Sequence, residues 1–161
     1  MSAECSGRLW RLARRGVLTL AVLVLHAGAA HAQGCSVNTS GAIRFGSYDV
    51  FAPMPLDTTG TVSYICDKKD RDILITLSPG ASSTFRPRRM TNGTDQLAYN
   101  LYLDAAFTVI WGDLAEGTGA YTRHNPPNNR WVELTVYGRT PARQDVSAGT
   151  YSDTLVVEIN F

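Results

Sequence analysis

Residues 153–161 are Asp-Thr-Leu-Val-Val-Glu-Ile-Asn-Phe, and from Leu155 onward an apolar side chain recurs at every second position. A repeat of two residues is typical of a β-strand with one face buried and one face in water. The predicted inward set is Leu155, Val157, Ile159 and Phe161. Because the pattern continues to the last residue, we expect nothing to cover the far edge of this strand.

The same alternation recurs in earlier parts of the chain, between clusters of Gly, Pro, Asn and Asp that favour turns. It predicts strands at 61–66, 73–77, 97–103, 107–111 and 131–137. No window after residue 32 has a convincing 3.6-residue period, and we find no internal repeat or linker. About seven short strands, counting a first one that starts near Cys35, predict a single all-β sandwich.

Residues 1–32 have the pattern of a secretory signal that is removed on export. Four arginines are followed by the apolar run 17–25 and by the small-residue site Ala30-His31-Ala32. The apolar run is shorter than the ~20 residues that a membrane-spanning helix requires. We expect cleavage after Ala32, with Ala27-Gly28-Ala29 as an alternative site. The prediction is a signal peptide at 1–32 and an exported, not membrane-spanning domain at 33–161.

Removing the signal changes the charge of the protein. Of 15 basic and 14 acidic residues, four basic and one acidic lie within residues 1–32, which leaves 11 basic and 13 acidic residues in the mature chain of 129. A slightly acidic domain gives no support for nucleic-acid binding, which depends on a basic face.

Two cysteines remain after export, Cys35 and Cys66, since Cys5 lies within the signal. An even pair in an exported protein favours a disulfide. The alternative is a metal site, but His124 is the single histidine left in the mature chain. The close ligand spacing of a zinc site is absent. We expect a disulfide and no metal or other cofactor.

The sequence offers no convincing catalytic constellation, so we expect no enzyme. Phosphate-binding loops, G-x-S-x-G and H-E-x-x-H are absent. His124 is expected to be a solvated loop residue, Asp104 and Asp113 turn residues, and the basic cluster 86–89 an exposed loop. Four aromatic residues were considered as a sugar-binding face, but core or cross-strand packing is favoured. They are Tyr99, Tyr102, Trp111 and Trp131.

The order of several short motifs resembles the spore coat protein U domain family, which includes subunits of archaic chaperone–usher pili. The motifs are Cys35-Ser36-Val37, Phe45-Gly46-Ser47-Tyr48-Asp49, the run 59–66, Phe85-Arg86-Pro87-Arg88-Arg89-Met90, the run 99–104, Trp111-Gly112-Asp113, Tyr137-Gly138-Arg139, Gln144 and the run 149–155. The resemblance covers residues 35–161. It is their order together that is specific, since each motif alone is weak.

The resemblance implies an incomplete immunoglobulin-like sandwich that lacks its last strand. In such proteins a periplasmic chaperone first fills the open groove, and the N-terminal strand of a neighbouring subunit replaces it at an outer-membrane usher. An exposed strand edge is an association site, and an added strand supplies backbone hydrogen bonds and alternate side chains. We expect the groove to lie between the region of Ile43 and Phe45 and the final strand 155–161.

The resemblance implies a structural subunit of a surface fibre that serves adhesion and biofilm formation, with transit through the periplasm. Pilins that polymerise carry about ten or more alternating residues before their first cysteine, whereas cleavage after Ala32 leaves only Gln33-Gly34. We therefore expect a subunit that accepts a strand without donating one, as at a fibre tip.

Two other roles stay open at this point. One is a spore-coat or cell-coat structural protein. The other is an adhesin module that binds a surface or a glycan, for which the run 50–56 is the candidate loop. Packing of that run on the core is the favoured interpretation.

Overall fold

Two antiparallel sheets face each other in the computed structural model, which describes residues 34–39, 43–67 and 72–161. The predicted signal and its cleavage site lie outside the described residues. The described strands are β1 (Cys35–Asn38), β2 (Leu56–Cys66), β3 (Asp72–Leu77), β4 (Arg88–Thr91), β5 (Gln96–Tyr102), β6 (Tyr121–His124), β7 (Val132–Thr140) and β8 (Val157–Asn160). Short 3₁₀ turns occur at Gly80–Ser82 and Ala115–Gly117. The predicted all-β class is confirmed.

The larger sheet has the strand order β1-β2-β7-β5-β4, and the smaller one has the order β6-β3-β8. The central pair is β2 with β7, whose register runs from Leu56 opposite Thr140 to Tyr64 opposite Val132. On the smaller sheet β8 pairs with β3, from Leu77 opposite Val157 to Leu74 opposite Asn160. Within the described ranges no helix has the length and hydropathy needed to cross a bilayer.

The core lies between the two sheets and is closed by Trp111, whose side chain is fully buried. Its indole Nε1 donates a hydrogen bond of 2.8 Å to the carbonyl of Ile75 in β3. The predicted strand at 107–111 is wrong, because only isolated bridges occur there, at Ile110 and Trp111. Phe107 adopts a left-handed backbone conformation, with φ of 57°, and this turn interrupts the strand.

Asp104 holds that turn, as predicted for a turn residue. Its carboxylate accepts hydrogen bonds from the backbone N–H groups of Thr108 and Val109. The bond from Val109 is the main cause that lowers the pKa of Asp104 below its ordinary value. Asp113 likewise accepts a hydrogen bond from the backbone N–H of Ala115. Both acidic side chains therefore stabilise a local turn by accepting backbone hydrogen bonds.

The basic cluster was expected to be an exposed loop, and for Arg88 that is wrong. Arg88 begins β4 and is fully buried. Its guanidinium donates to the carbonyls of Ser78 and Trp111 and to the side-chain oxygen of Asn100, at 2.7 to 3.1 Å. Burial lowers the pKa of Arg88 to about 10. A buried cation is tolerated here because several acceptors converge on it.

The disulfide between Cys35 and Cys66 is present and confirms the predicted pairing. The two residues stand opposite each other in the register of β1 and β2. The bond therefore fixes the start of β1 to the end of β2. Cys66 is fully buried, and Asp67 donates its backbone N–H to the carbonyl of Gly34 beside it.

We expect the double substitution Cys35→Ser/Cys66→Ser to lower the free energy of unfolding by ~2–5 kcal/mol, since a cross-link that closes a long loop limits the unfolded chain. Urea unfolding of the oxidised wild type and of the variant measures this difference. Reducing the wild type should shift its midpoint toward that of the variant. Equal midpoints for all three samples would contradict the stabilising role.

Candidate strand-binding groove

An apolar groove of about 1200 Å³ opens along one side of the sandwich. One wall is the segment 43–51, which leads into β2, and the other is formed by residues 146–155 together with Val157. Its apolar floor comes from both sheets and consists of Val62, Leu77, Met90, Leu97, Tyr99 and Val136. All six are buried core residues. The groove therefore reaches down to the core of the sandwich between its two walls.

Two side chains of the first wall pack on the larger sheet. Ile43 lies over Gly60 of β2, where a Cβ atom would come within 2.5 Å of Ile43 Cγ1. Phe45 lies over Gly138 of β7, where a Cβ atom would come within 2.9 Å of the ring. The Phe45 ring also meets Tyr99 edge-on, at 5.7 Å between centroids. The two strand glycines therefore make room for the first wall.

Residues 43–48 belong to no strand, although they run beside the sheet. Within the described part of the chain, no backbone–backbone hydrogen bond involves them. The carbonyl of Arg44 accepts a bond of 2.8 Å from the hydroxyl of Thr58. The main chain of residues 43–48 therefore has no ladder partner among the described residues.

The second wall continues into β8, which is the last strand of the smaller sheet. Ser78 and Val156 are joined by two hydrogen bonds of 2.9 Å, one from Ser78 N to Val156 O and one from Val156 N to Ser78 Oγ. Val156 therefore directs its main-chain groups toward β3. Since successive residues of a strand alternate in direction, those of Leu155 and Val157 are directed toward the groove.

Asp153 attaches this wall to the body of the domain. Its carboxylate accepts hydrogen bonds from the hydroxyl of Tyr99, at 2.7 Å, and from the backbone N–H of Ala81, at 3.0 Å. Burial, followed by the bond to Asp153, raises the pKa of Tyr99 far above its ordinary value. Gly80 has a φ of 73° and lies against the same carboxylate, where a Cβ atom would collide with it.

Of the six residues predicted for the groove, the structure brings four together. Ile43, Phe45, Leu155 and Val157 line it. Ile159 packs against the core farther along β8, where β1 lies close by. Phe161 departs from the predicted inward set, because 55% of its surface is exposed and its ring lies against Gly34. The approach of β1 closes the sandwich at this end, so the last two residues of the set lie beyond the groove.

Sequence reasoning quoted Tyr48 and Gln144 as motif residues without assigning them a role. The Tyr48 hydroxyl donates to the carbonyl of Pro141, at 2.7 Å, and accepts from the backbone N–H of Gln144, at 2.8 Å. The Gln144 side chain in turn exchanges two hydrogen bonds with the backbone of Ala98 in β5. These bonds connect the first wall to the segment that follows β7.

The remaining sequence candidates lie on the groove floor, in the core or at the surface. Tyr99 and Trp111 are buried, as the core interpretation predicted, whereas half of Trp131 is exposed. His124 ends β6 and forms an exposed pair with Asp72. No cluster of three potential metal ligands occurs among the residues that the structure describes.

The prediction that the run 50–56 packs on the core is wrong for its two largest side chains. Phe51 is 87% exposed and Met54 is 72% exposed. The reason is a turn at Asp49, whose side chain accepts a hydrogen bond of 2.9 Å from the backbone N–H of Phe51 and directs the chain outward. The run returns to the sheet only at Leu56, where β2 begins.

Thr140 also lines the groove, and its hydroxyl is buried with no hydrogen-bond partner among the described residues. Removing a hydroxyl from water costs free energy, and here no hydrogen bond offsets that cost. Thr118 is a comparable buried threonine, but its hydroxyl donates a bond of 2.7 Å to the carbonyl of Ala115.

We expect Thr140→Val to raise the free energy of unfolding by ~1 kcal/mol, because the substitution removes an unpaired buried hydroxyl. Thr118→Val, the matched control, should lower it by ~1 kcal/mol because a hydrogen bond is lost. Thermal and urea unfolding of the three oxidised proteins measure both changes. A loss of stability in both variants would mean that the Thr140 hydroxyl has a partner in solution.

Three comparisons with known proteins bear on this site. The sequence model of the Spore Coat Protein U domain matches residues 19–158. Protein U of Myxococcus xanthus is 35% identical over 143 residues, which cover 79% of this chain and 77% of that protein. The family-model match therefore extends over both walls of the groove.

A solved structure with a similar fold is the CsuC–CsuE chaperone–tip adhesion subunit pre-assembly complex from archaic chaperone–usher Csu pili of Acinetobacter baumannii. The TM-score is 0.55, the identity is 19%, and the match covers 79% of this chain. The aligned region is 39% of the other chain, so the present chain corresponds to about two fifths of its length. At this identity the likeness concerns the fold.

Proposed function

The chain belongs to the Spore Coat Protein U domain family, and we propose that it is a structural subunit of a surface fibre, completed by a β-strand that a partner protein inserts. The observation that carries the proposal is the apolar groove, bordered by residues 43–48 on one side and by Leu155 and Val157 on the other. Both borders have main-chain groups available to a strand.

The geometry defines the chemistry of the occupant. The border 43–48 corresponds to a strand of about six residues, or ~20 Å at ~3.4 Å per residue. Alternate side chains of such a strand would point at the floor formed by Leu77, Met90 and Val136 and should therefore be apolar. Its other side chains would face water. Main-chain hydrogen bonds supply affinity, and the apolar side chains supply selectivity.

The partners we propose are a periplasmic chaperone, an outer-membrane usher and other pilus subunits, with adhesion and biofilm formation as the role of the fibre. The similar fold occurs in a complex of a chaperone with a tip adhesion subunit, which supports this assignment. The chain would then pass through the periplasm and end at the cell surface.

A coat role is the second candidate, because the family takes its name from a spore coat protein and Protein U of Myxococcus xanthus is 35% identical. The same groove would serve in a coat built from strand-linked subunits. The two roles differ in their product, since one gives thin fibres that extend from the surface and the other a continuous layer. Immunogold electron microscopy of the producing cells distinguishes them.

Val157 and Val156 provide a matched pair for the test. Val157 lines the groove, whereas the side chain of Val156 is 55% exposed. We expect Val157→Asp to abolish co-purification with the cognate periplasmic chaperone, because a charge would enter an apolar groove. Val156→Asp should leave co-purification near the wild-type level.

Because Val157→Asp could also impair folding, Leu155→Ala is included as a mild substitution in the same wall. The Leu155→Ala variant should fold. It should weaken chaperone binding by about tenfold, because it loses part of the roughly 1.5–3 kcal/mol that burial of a leucine side chain contributes. Normal chaperone capture by both groove variants would refute the proposal.

We further propose an accessory or tip-like position, in which the subunit accepts a strand but donates none. The support is the predicted cleavage after Ala32, which leaves two residues before Cys35, and Cys35 is itself fixed to β2 by the disulfide. The purified mature chain should stay monomeric and capture a donor peptide from another subunit. N-terminal sequencing checks the cleavage site, and SDS-resistant ladders of the chain alone would contradict the tip position.

A further inference from the structure

Of the six residues that form the floor of the groove, Met90 alone contains sulfur. It also has the largest exposed fraction of the six, 8%, whereas Val136 has none. Met90 lies in β4, the edge strand of the larger sheet. The next residue, Thr91, is joined to Ser152 of the second wall by two backbone hydrogen bonds of 2.9 and 3.0 Å. Met90 therefore lies where the floor meets that wall.

The other sulfur-containing residues of the predicted mature chain differ from Met90 in exposure and chemistry. Met54 is 72% exposed and does not line the groove. Cys35 and Cys66 are joined in the disulfide and present no free thiol. An oxidant that attacks thioethers therefore has two targets in this chain, one at the surface and one in the groove floor.

We infer that Met90 is an oxidation-sensitive site that determines whether the groove can accept a strand. This inference rests on the proposed function and extends it to its regulation. Hydrogen peroxide transfers one oxygen atom to the thioether, so the sulfur is oxidised by two electrons to the sulfoxide and the peroxide is reduced to water. The product is a polar side chain in a floor on which apolar side chains of the strand would pack.

The order of oxidation and assembly decides the outcome. In the free domain the groove gives a small oxidant a route to Met90, and the sulfoxide oxygen would then be covered by an incoming strand whose apolar side chains donate no hydrogen bond. In the assembled subunit the strand covers Met90 first and protects the thioether. Oxidised subunits are therefore excluded from assembly, whereas assembled subunits resist oxidation at this site.

The first measurement is the rate of oxidation at Met90. The mature chain, alone or in complex with the cognate periplasmic chaperone, is treated with hydrogen peroxide, and mass spectrometry of its peptides follows the sulfoxide. N-acetylmethionine in each sample is the internal standard for the oxidant. We expect Met90 to react in the free chain, more slowly than Met54, and to react at least about tenfold more slowly in the complex, because reactivity follows exposure.

The second measurement is chaperone binding after the free chain has been treated with peroxide and freed of it. We expect the wild type with Met90 sulfoxide to bind at least about tenfold more weakly than the untreated chain, since a polar group is buried without a partner. Met54→Leu should lose binding to the same extent. Met90→Leu conserves the side-chain volume and should bind before and after treatment. Thermal unfolding checks that each sample is folded.

The outcomes separate this inference from the proposed function. If the untreated wild type binds no chaperone, the strand-accepting function fails and the inference fails with it. If the untreated chain binds and the chain with Met90 sulfoxide binds equally well, the oxidation-sensitive site alone is refuted. Equal rates of Met90 oxidation in the free chain and in the complex would also refute it, as would loss of the whole fold on oxidation.

Discussion

Unpaired main-chain groups at the edge of a sheet favour association with another strand, and in this domain they border the line between the two groove walls. On one side the main chain of residues 43–48 has no ladder partner among the described residues. On the other side the smaller sheet ends at β8. Between them the core residues Leu77 and Met90 line an open groove. The proposed assembly depends on a single added strand that would pair with both borders.

The remainder of the domain holds that gap open. Trp111 ties the loop region to β3 through its indole, so that the two sheets stay joined away from the gap. The disulfide fixes β1 at one end, where β1 lies near β8 and the sandwich is closed. Gly60 and Gly138 let Ile43 and Phe45 lie close to the larger sheet. The groove is thus shaped before any partner arrives, and less conformational entropy is lost on binding.

The alternation of apolar side chains was enough to predict most of the strands, since β2, β3, β5, β7 and β8 all overlap predicted runs. The sequence-based prediction was wrong where contacts between distant segments determine the position of a residue. Arg88 looked like part of a charged loop, yet carbonyls from two other segments and the Asn100 side chain satisfy it inside the domain. Four groove residues followed from alternation and family resemblance. The roles of Tyr48, Gln144 and the two strand glycines required the register between distant segments, which a single sequence does not contain.

Arg88 also connects the interior to the groove. Its guanidinium donates twice to the carbonyl of Ser78, and the same serine holds Val156 through two further hydrogen bonds. The groove wall at Val156, between Leu155 and Val157, is therefore connected through Ser78 to a cation buried in the interior of the domain. Mechanical load on a strand in the groove would pass along this chain of bonds into the core. The wall is therefore anchored in the core of the domain and not only at its surface.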